Sequence, residues 1–176
     1  GATQANNASL ELVALGDNIG VAADVISKDF NNAASELAKY GPQATKVFKG
    51  MAAAAKATGI EMGKLMGITK QFDTFEGAAT AAGKLNAILG GGVMNSMELL
   101  NATEEERIRL MIQGMQASGK NFASLNRFEK QAIASAAGIE DMTEANKIFS
   151  MSLSGYDAMQ SKASAAAASN AKLEER

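Results

Sequence analysis

The sequence contains no cysteine, no histidine and no tryptophan. Without cysteine there can be no disulfide, no zinc–thiolate site and no thiol nucleophile. Without histidine the chain lacks the usual general base and the commonest ligand of transition metals. These absences argue against an enzyme and give no sign of a metal ion, a cofactor or a small-molecule ligand. Carboxylates, lysine and serine could still catalyse a reaction, so an enzyme stays open as the least favoured class.

Residues that favour β-strands are also scarce. Aromatic residues make up 5% of the chain, and Pro42 is the single proline. Alanine is the commonest residue, and no segment alternates apolar and polar residues with the period of a strand. This composition predicts an all-α protein with about seven helices.

Basic residues are not clustered. The formal net charge is −2, and the lysines occur singly along the chain. A nucleic-acid-binding protein normally has a clustered basic face, so this distribution argues against nucleic acid as a partner. The longest apolar run, residues 51–55, is too short to span a bilayer, and no signal peptide is visible. Because the chain begins with Gly1 rather than methionine, a fragment or a processed protein is one expectation.

Residues 1–41 are predicted to form a long helical arm with a heptad-like pattern. Between residues 9 and 40, apolar and small residues recur with alternating spacings of four and three, which is the pattern of coiled-coil packing. The large members form a candidate self-association seam: Leu12, Ile19, Ile26, Phe30, Leu37 and Tyr40. A continuous helix over this stretch would be roughly 48 Å long. Gly16, Gly20 and the Asn31–Asn32 pair weaken it, and a break near residues 28–31 is plausible.

Residues 42–154 are predicted to form a compact module of short helices. Four segments fit the capping-box pattern, in which a short polar residue precedes a glutamate by three positions: Asp73 and Glu76, Thr103 and Glu106, Asn126 and Glu129, Asp141 and Glu144. Glycines that follow the apolar residues of each predicted helix mark the helix ends. The predicted helices cover residues 42–58, 61–72, 74–89, 104–118, 127–137 and 142–150, with a short turn at 95–100.

Residues 155–176 are rich in serine and alanine and contain few large apolar residues. Alanine favours helix intrinsically, but this composition offers little to pack against a core. We therefore expect a weakly packed helical or frayed tail.

Two segments come close to known catalytic or binding motifs. Residues 114–120 match most of a P-loop, but Asn121 replaces the expected serine or threonine and the segment follows a helix rather than a strand. We interpret Gly119 as a helix end.

Glu104, Glu105 and Glu106, followed by Arg107 and Arg109, could suggest acid–base chemistry. Acidic residues in a first helical turn complement the helix dipole, and we interpret this run as a solvated face.

The methionines allow two interpretations. Most of them lie on inferred inner faces and are expected to fill the core. Met94 and Met97 follow the triple glycine at 90–92 and could form an adaptable contact surface, which is the weaker alternative.

Three blocks of the sequence resemble segments of phage tail tape measure proteins. The first, residues 72–92, reads Phe-Asp-Thr-Phe-Glu-Gly-Ala-Ala-Thr-Ala-Ala-Gly-Lys-Leu-Asn-Ala-Ile-Leu-Gly-Gly-Gly. The second, residues 99–107, reads Leu-Leu-Asn-Ala-Thr-Glu-Glu-Glu-Arg, and the third spans residues 126–142. The resemblance covers about residues 57–150.

The resemblance implies a structural role in a virion. Such proteins are long and helical, lie inside the tail tube, set its length during assembly and leave during DNA ejection. It implies a location in the virion tail, with self-association or other tail proteins as the partners. A second hypothesis is a non-enzymatic cytoplasmic adaptor or regulatory module that binds a partner helix in a groove.

Overall fold

A computed structural model describes the backbone of residues 2–174 and the surroundings of side chains in residues 10–164. Within the described residues every regular element is helical, which confirms the all-α prediction. The α-helices are α1 (Ala2–Ile19), α2 (Ala23–Leu37), α3 (Ala44–Thr58), α4 (Met62–Lys70), α5 (Phe75–Leu89), α6 (Ser96–Asn101), α7 (Glu104–Ala117), α8 (Arg127–Ala136), α9 (Met142–Phe149) and α10 (Leu153–Glu174). Short 3-10 helices cover Ala38–Gln43, Gln71–Asp73 and Phe122–Ser124.

The six helices predicted between residues 42 and 150 correspond to α3, α4, α5, α7, α8 and α9. The described residues contain more helices than the seven expected, partly because the turn expected at 95–100 is the short helix α6. Its start has a local cause, since the Asn95 side chain accepts a hydrogen bond of 3.0 Å from the backbone N–H of Glu98. Glycine ends several of the helices, as at Gly59, which has a φ of 73°.

The single long N-terminal helix was a wrong prediction. The arm consists of α1 and α2, and it breaks at Gly20, not near residues 28–31. Gly20 has a φ of +77°, which favours glycine, and the Val21 N–H donates to the Gly16 carbonyl at 2.8 Å. A Cβ atom on Gly16 would lie 2.5 Å from the Val21 carbonyl oxygen. These two glycines let the chain turn back, so that α2 packs against α1.

The core surrounds α3 and α7. Helix α3 packs against α1, α2, α4, α7 and α10, and α7 packs against α3, α4, α6, α9 and α10. One apolar cluster runs from Leu12 in α1 to Ala163 in α10. It therefore includes residues from all three of the segments that the sequence suggested, 1–41, 42–154 and 155–176.

The predicted capping boxes differ in outcome. At the start of α7, Thr103 and Glu106 form the reciprocal box, and the Thr103 N–H donates to Glu106 at 3.0 Å. Asn126 and Asp141 also act as N-cap residues, for α8 and α9. Asp73 does not cap α5, because Thr74 occupies the N-cap position and accepts from the Gly77 N–H at 3.0 Å. The Asp73 carboxylate turns instead towards α7.

The structure does not confirm the weakly packed tail for the part of α10 whose side chains are described. Tyr156 and Ala163 are buried, and α10 lies against α1 and α3. Tyr156 is 0% exposed, and an aromatic ring buries a large apolar area. The side chains of residues 165–176 lie outside the described residues.

Candidate functional site

The predicted self-association seam lies largely inside the molecule. Leu12, Ile19, Ile26 and Leu37 are all less than 10% exposed and belong to the core of the chain itself. The Phe30 ring packs edge-on against Phe48, with centroids 5.0 Å apart. Tyr40, the last member, donates a hydrogen bond to Glu104. The heptad pattern thus describes how α1 and α2 pack on neighbouring helices of the same chain.

The charged run at the start of α7 is not the solvated face that we expected. Glu104 and Arg107 are each only 4% exposed, while Glu106 is exposed. A buried charge is costly unless it is paired and hydrogen-bonded, so both residues require specific partners. These partners come from segments far away in the sequence, and together they form a buried network.

The centre of this network is Arg107. Its Nε donates to the Leu99 carbonyl at 2.8 Å, and its Nη2 donates to the Leu100 carbonyl at 3.0 Å. Its Nη1 donates to the Thr69 carbonyl at 3.0 Å and to the Asp73 carboxylate at 2.6 Å. The guanidinium therefore binds carbonyl groups near the ends of α4 and α6, where helices leave their last carbonyls without partners.

Glu104 connects Arg107's helix to the 3-10 segment that ends the N-terminal arm. Its carboxylate accepts a hydrogen bond from the Tyr40 hydroxyl and lies 3.1 Å from the Lys39 ammonium. Burial and the bond to Glu104 raise the pKa of Tyr40 above its usual range. We call these five residues, Lys39, Tyr40, Asp73, Glu104 and Arg107, the Arg107 network.

A second polar cluster joins α10 to α7 and α3. The Tyr156 hydroxyl donates to the Glu105 carbonyl at 2.6 Å and lies 3.1 Å from the Glu105 carboxylate. Arg109 forms two bonds to the Asp157 carboxylate, of 2.8 and 3.0 Å. The Gln160 amide donates to the Gly50 carbonyl at 2.9 Å. Burial raises the pKa of Glu105, and the bond to Arg109 lowers the pKa of Asp157.

A cleft of about 750 Å³ lies between α1, α3, α7, α10 and the 3-10 segment before α3. Its lining mixes both signs of charge, with Lys46 and Lys49 beside Glu11, Glu105 and Glu106. Lys49 is 7% exposed, and its ammonium lies 3.5 Å from Glu11. The cleft therefore differs from a purely apolar groove of the kind that receives the apolar face of a partner helix.

The near P-loop is the last part of α7 and the turn that follows it. Gly119 has a φ of 73° and ends the helix, and the Lys120 ammonium donates to the Ile88 carbonyl at 3.1 Å. Lys120 thus binds a carbonyl near the C-terminus of α5. Of the two methionines that follow the triple glycine, Met94 is buried at 7% exposure, and Met97, in α6, is 50% exposed. Only Met97 is available for the contact surface that the sequence suggested.

Among the described residues, no group of three or more acidic side chains is arranged to hold a metal ion. No helix in that part of the chain is both long enough and apolar enough to cross a membrane. No family model, no curated protein and no solved structure matches this chain.

The charged groups of the Arg107 network are bonded to other groups of the same chain. Four N–H groups of Arg107 point at carbonyl or carboxylate oxygens, and Glu104 is held by Tyr40 and Lys39. Charged side chains that are hydrogen-bonded to several helices of the same chain hold those helices together. The sequence analysis missed the network because Asp73 lies 34 residues from Arg107 and Tyr40 lies 64 residues from Glu104. The sequence signal that was available is the pair Glu104 and Arg107 at i, i+3, which places both side chains on one face of α7.

Proposed function

We propose that this chain is a structural, non-catalytic helical module of a phage tail tape measure protein, which takes part in tail assembly and genome ejection. The blocks that resemble such proteins, residues 72–92, 99–107 and 126–142, correspond to α5, α6 with the start of α7, and α8 with the start of α9. In this proposal the chain is located in the virion tail and associates with itself or with other tail proteins.

The single observation that carries the non-catalytic part of the proposal is the Arg107 network. The buried ionisable side chains of α7 are used to tie α4, α6 and the arm together. An active site needs groups that face a pocket and remain free to exchange protons or bind substrate. Here the most buried charges are already bonded to the protein itself.

The fold adds one feature to the proposed role. A tape measure converts residue count into length through an extended helix, at about 1.5 Å per residue. In this chain the helices fold back on one another around a shared core. The module would therefore occupy one position along the tail and contribute little to the measured length.

Tail length in an engineered phage tests this proposal. We expect deletion of residues 42–154 from the parent gene to shorten the tail by far less than the roughly 170 Å that an extended helix would give. The matched control is deletion of an equal number of residues from a heptad-patterned part of the same gene. Before that experiment, mass spectrometry of purified tails should detect peptides of this chain. A parent reading frame of this size without tail genes beside it would contradict the proposal.

The alternative proposal is a cytoplasmic adaptor that binds a partner helix. The mixed charge of the cleft at Lys46, Lys49 and Glu105 gives it less support than an apolar groove would. A pull-down that recovers a helical partner, lost on substitution of cleft residues and unaffected by surface changes elsewhere, would favour the adaptor instead.

A further inference from the structure

We propose that residues 153–164 of α10 form a latch, which detaches from α1, α3 and α7 as a unit while α4 to α9 remain folded. The latch does not depend on the tail assignment, because it concerns how one helix is held by the others. The regions that open first in a folded protein have few buried apolar contacts.

The apolar part of the docking surface is small. In the described part of α10 only Tyr156 and Ala163 are buried, while α7 buries Ile108, Met111, Ile112 and Met115. Met159 and Leu153 are partly buried and pack on the edge of the core. Buried apolar area dominates the free energy that holds an element in place, and the described part of α10 buries fewer apolar side chains than α7.

The polar part of the attachment is concentrated within five consecutive residues, 156–160. Tyr156, Asp157 and Gln160 make the bonds to Glu105, Arg109 and Gly50 described above. Close approach at this point depends on Gly50, since a Cβ atom there would lie 2.7 Å from Cγ of Glu105. Detachment of α10 would therefore break a defined set of bonds and give water access to the Glu105 carboxylate.

The segment before the latch has the properties of a hinge. Helix α9 ends at Phe149 and α10 begins at Leu153, and the intervening residues are non-helical. The Ser152 hydroxyl accepts a hydrogen bond of 3.1 Å from the Gly155 N–H. This cap lies within the segment itself, so the first turn of α10 does not need the docked state to satisfy its backbone. Alanine-rich sequence also favours helix in the detached segment.

Hydrogen exchange of the intact protein, followed by mass spectrometry, tests the latch. In the wild type we expect residues 153–164 to be protected, but to exchange faster than residues 108–117 of α7. Tyr156→Phe removes the hydroxyl and keeps the ring. It should accelerate exchange in 153–164 roughly five- to tenfold, while exchange in 108–117 stays unchanged.

The other tyrosine of the chain supplies the matched control. Tyr40→Phe also removes one hydroxyl bonded to a glutamate, but Glu104 lies in the Arg107 network rather than under α10. It should not accelerate exchange in 153–164 selectively. The latch is excluded if residues 153–164 and 108–117 exchange at one common rate, or if Tyr156→Phe changes both segments equally or neither. It is also excluded if 153–164 shows no protection in the wild type.

Discussion

The Arg107 guanidinium lies 2.6 Å from the Asp73 carboxylate, across 34 residues of sequence. Because of this contact, Asp73 does not cap α5 as its sequence context predicts. Asp73 is the one negatively charged group among the described hydrogen-bond partners of the buried Arg107 side chain. It links the start of α7 to the 3-10 segment before α5. The same guanidinium binds three backbone carbonyls, so its removal affects several helix ends together.

Substitution Arg107→Met should destabilise the fold by about 3 kcal/mol, because three backbone carbonyls, two of them buried, lose their donor and the Asp73 pair is broken. Urea unfolding followed by circular dichroism measures the change. The control is Arg109→Met, which removes a guanidinium that is 38% exposed at the side chain and should cost at most about 1 kcal/mol. Equal losses for the two variants would show that Arg107 has no special structural role.

Substitution of two glycines of α5 by alanine should change the free energy of unfolding in opposite directions. At Gly77 a Cβ atom would collide with the Gln71 carbonyl, whereas at Gly83 nothing lies within 4 Å. Neither glycine has a positive φ. Gly83→Ala should therefore raise the free energy of unfolding by about 0.5–1 kcal/mol, and Gly77→Ala should lower it. Thermal unfolding of both variants tests this, and stabilisation by Gly77→Ala would contradict the close contact.

Stability should depend on pH through Glu105. Burial raises the pKa of Glu105 above the ordinary value of 4.5, so its carboxyl binds a proton more tightly in the folded state than in the unfolded chain. A group of this kind contributes stability below its unfolded pKa and loses that contribution as pH rises through the folded pKa. Glu105→Gln should therefore be more stable than the wild type at pH 7, with the difference shrinking towards pH 4. Urea titrations at both pH values measure it.

Asp157 contributes with the opposite sign and serves as the control. Its pKa lies below the ordinary value of 3.8 because Arg109 is bonded to it, so its contribution is present above that value and lost as pH falls. Asp157→Asn should reduce stability slightly at pH 7, and the reduction should become smaller as pH falls below 3.8. A Glu105→Gln variant that is less stable than the wild type at pH 7 would show that the charged carboxylate is favourable.

Ile26, a member of the predicted seam, is 1% exposed within the chain. If its role is intramolecular packing, Ile26→Ala should destabilise the fold by about 2–5 kcal/mol. The unfolding midpoint should then be independent of protein concentration. A midpoint that rises with concentration, together with a dimer in sedimentation equilibrium that Ile26→Ala dissociates, would support the self-association seam instead.

The sequence by itself determined the helical class and most helix boundaries of the central module. Helix starts at Thr103, Asn126 and Asp141, and the helix end at Gly138, depend on hydrogen bonds and backbone angles within a few residues. Such interactions are visible in a local pattern, because a cap needs only its own side chain and the next turn.

Tertiary structure decided which faces the helices bury and which charges they share. The heptad pattern of residues 12–40 indicated an apolar stripe but not its partner, and the stripe is covered by helices of the same chain after the turn at Gly20. Arg107 and Glu104 are buried because Asp73 and Tyr40 reach them from distant segments. Tyr156 anchors α10 through Glu105, 51 residues away. Burial and pairing depend on three-dimensional neighbours, and a local sequence pattern carries no information about them.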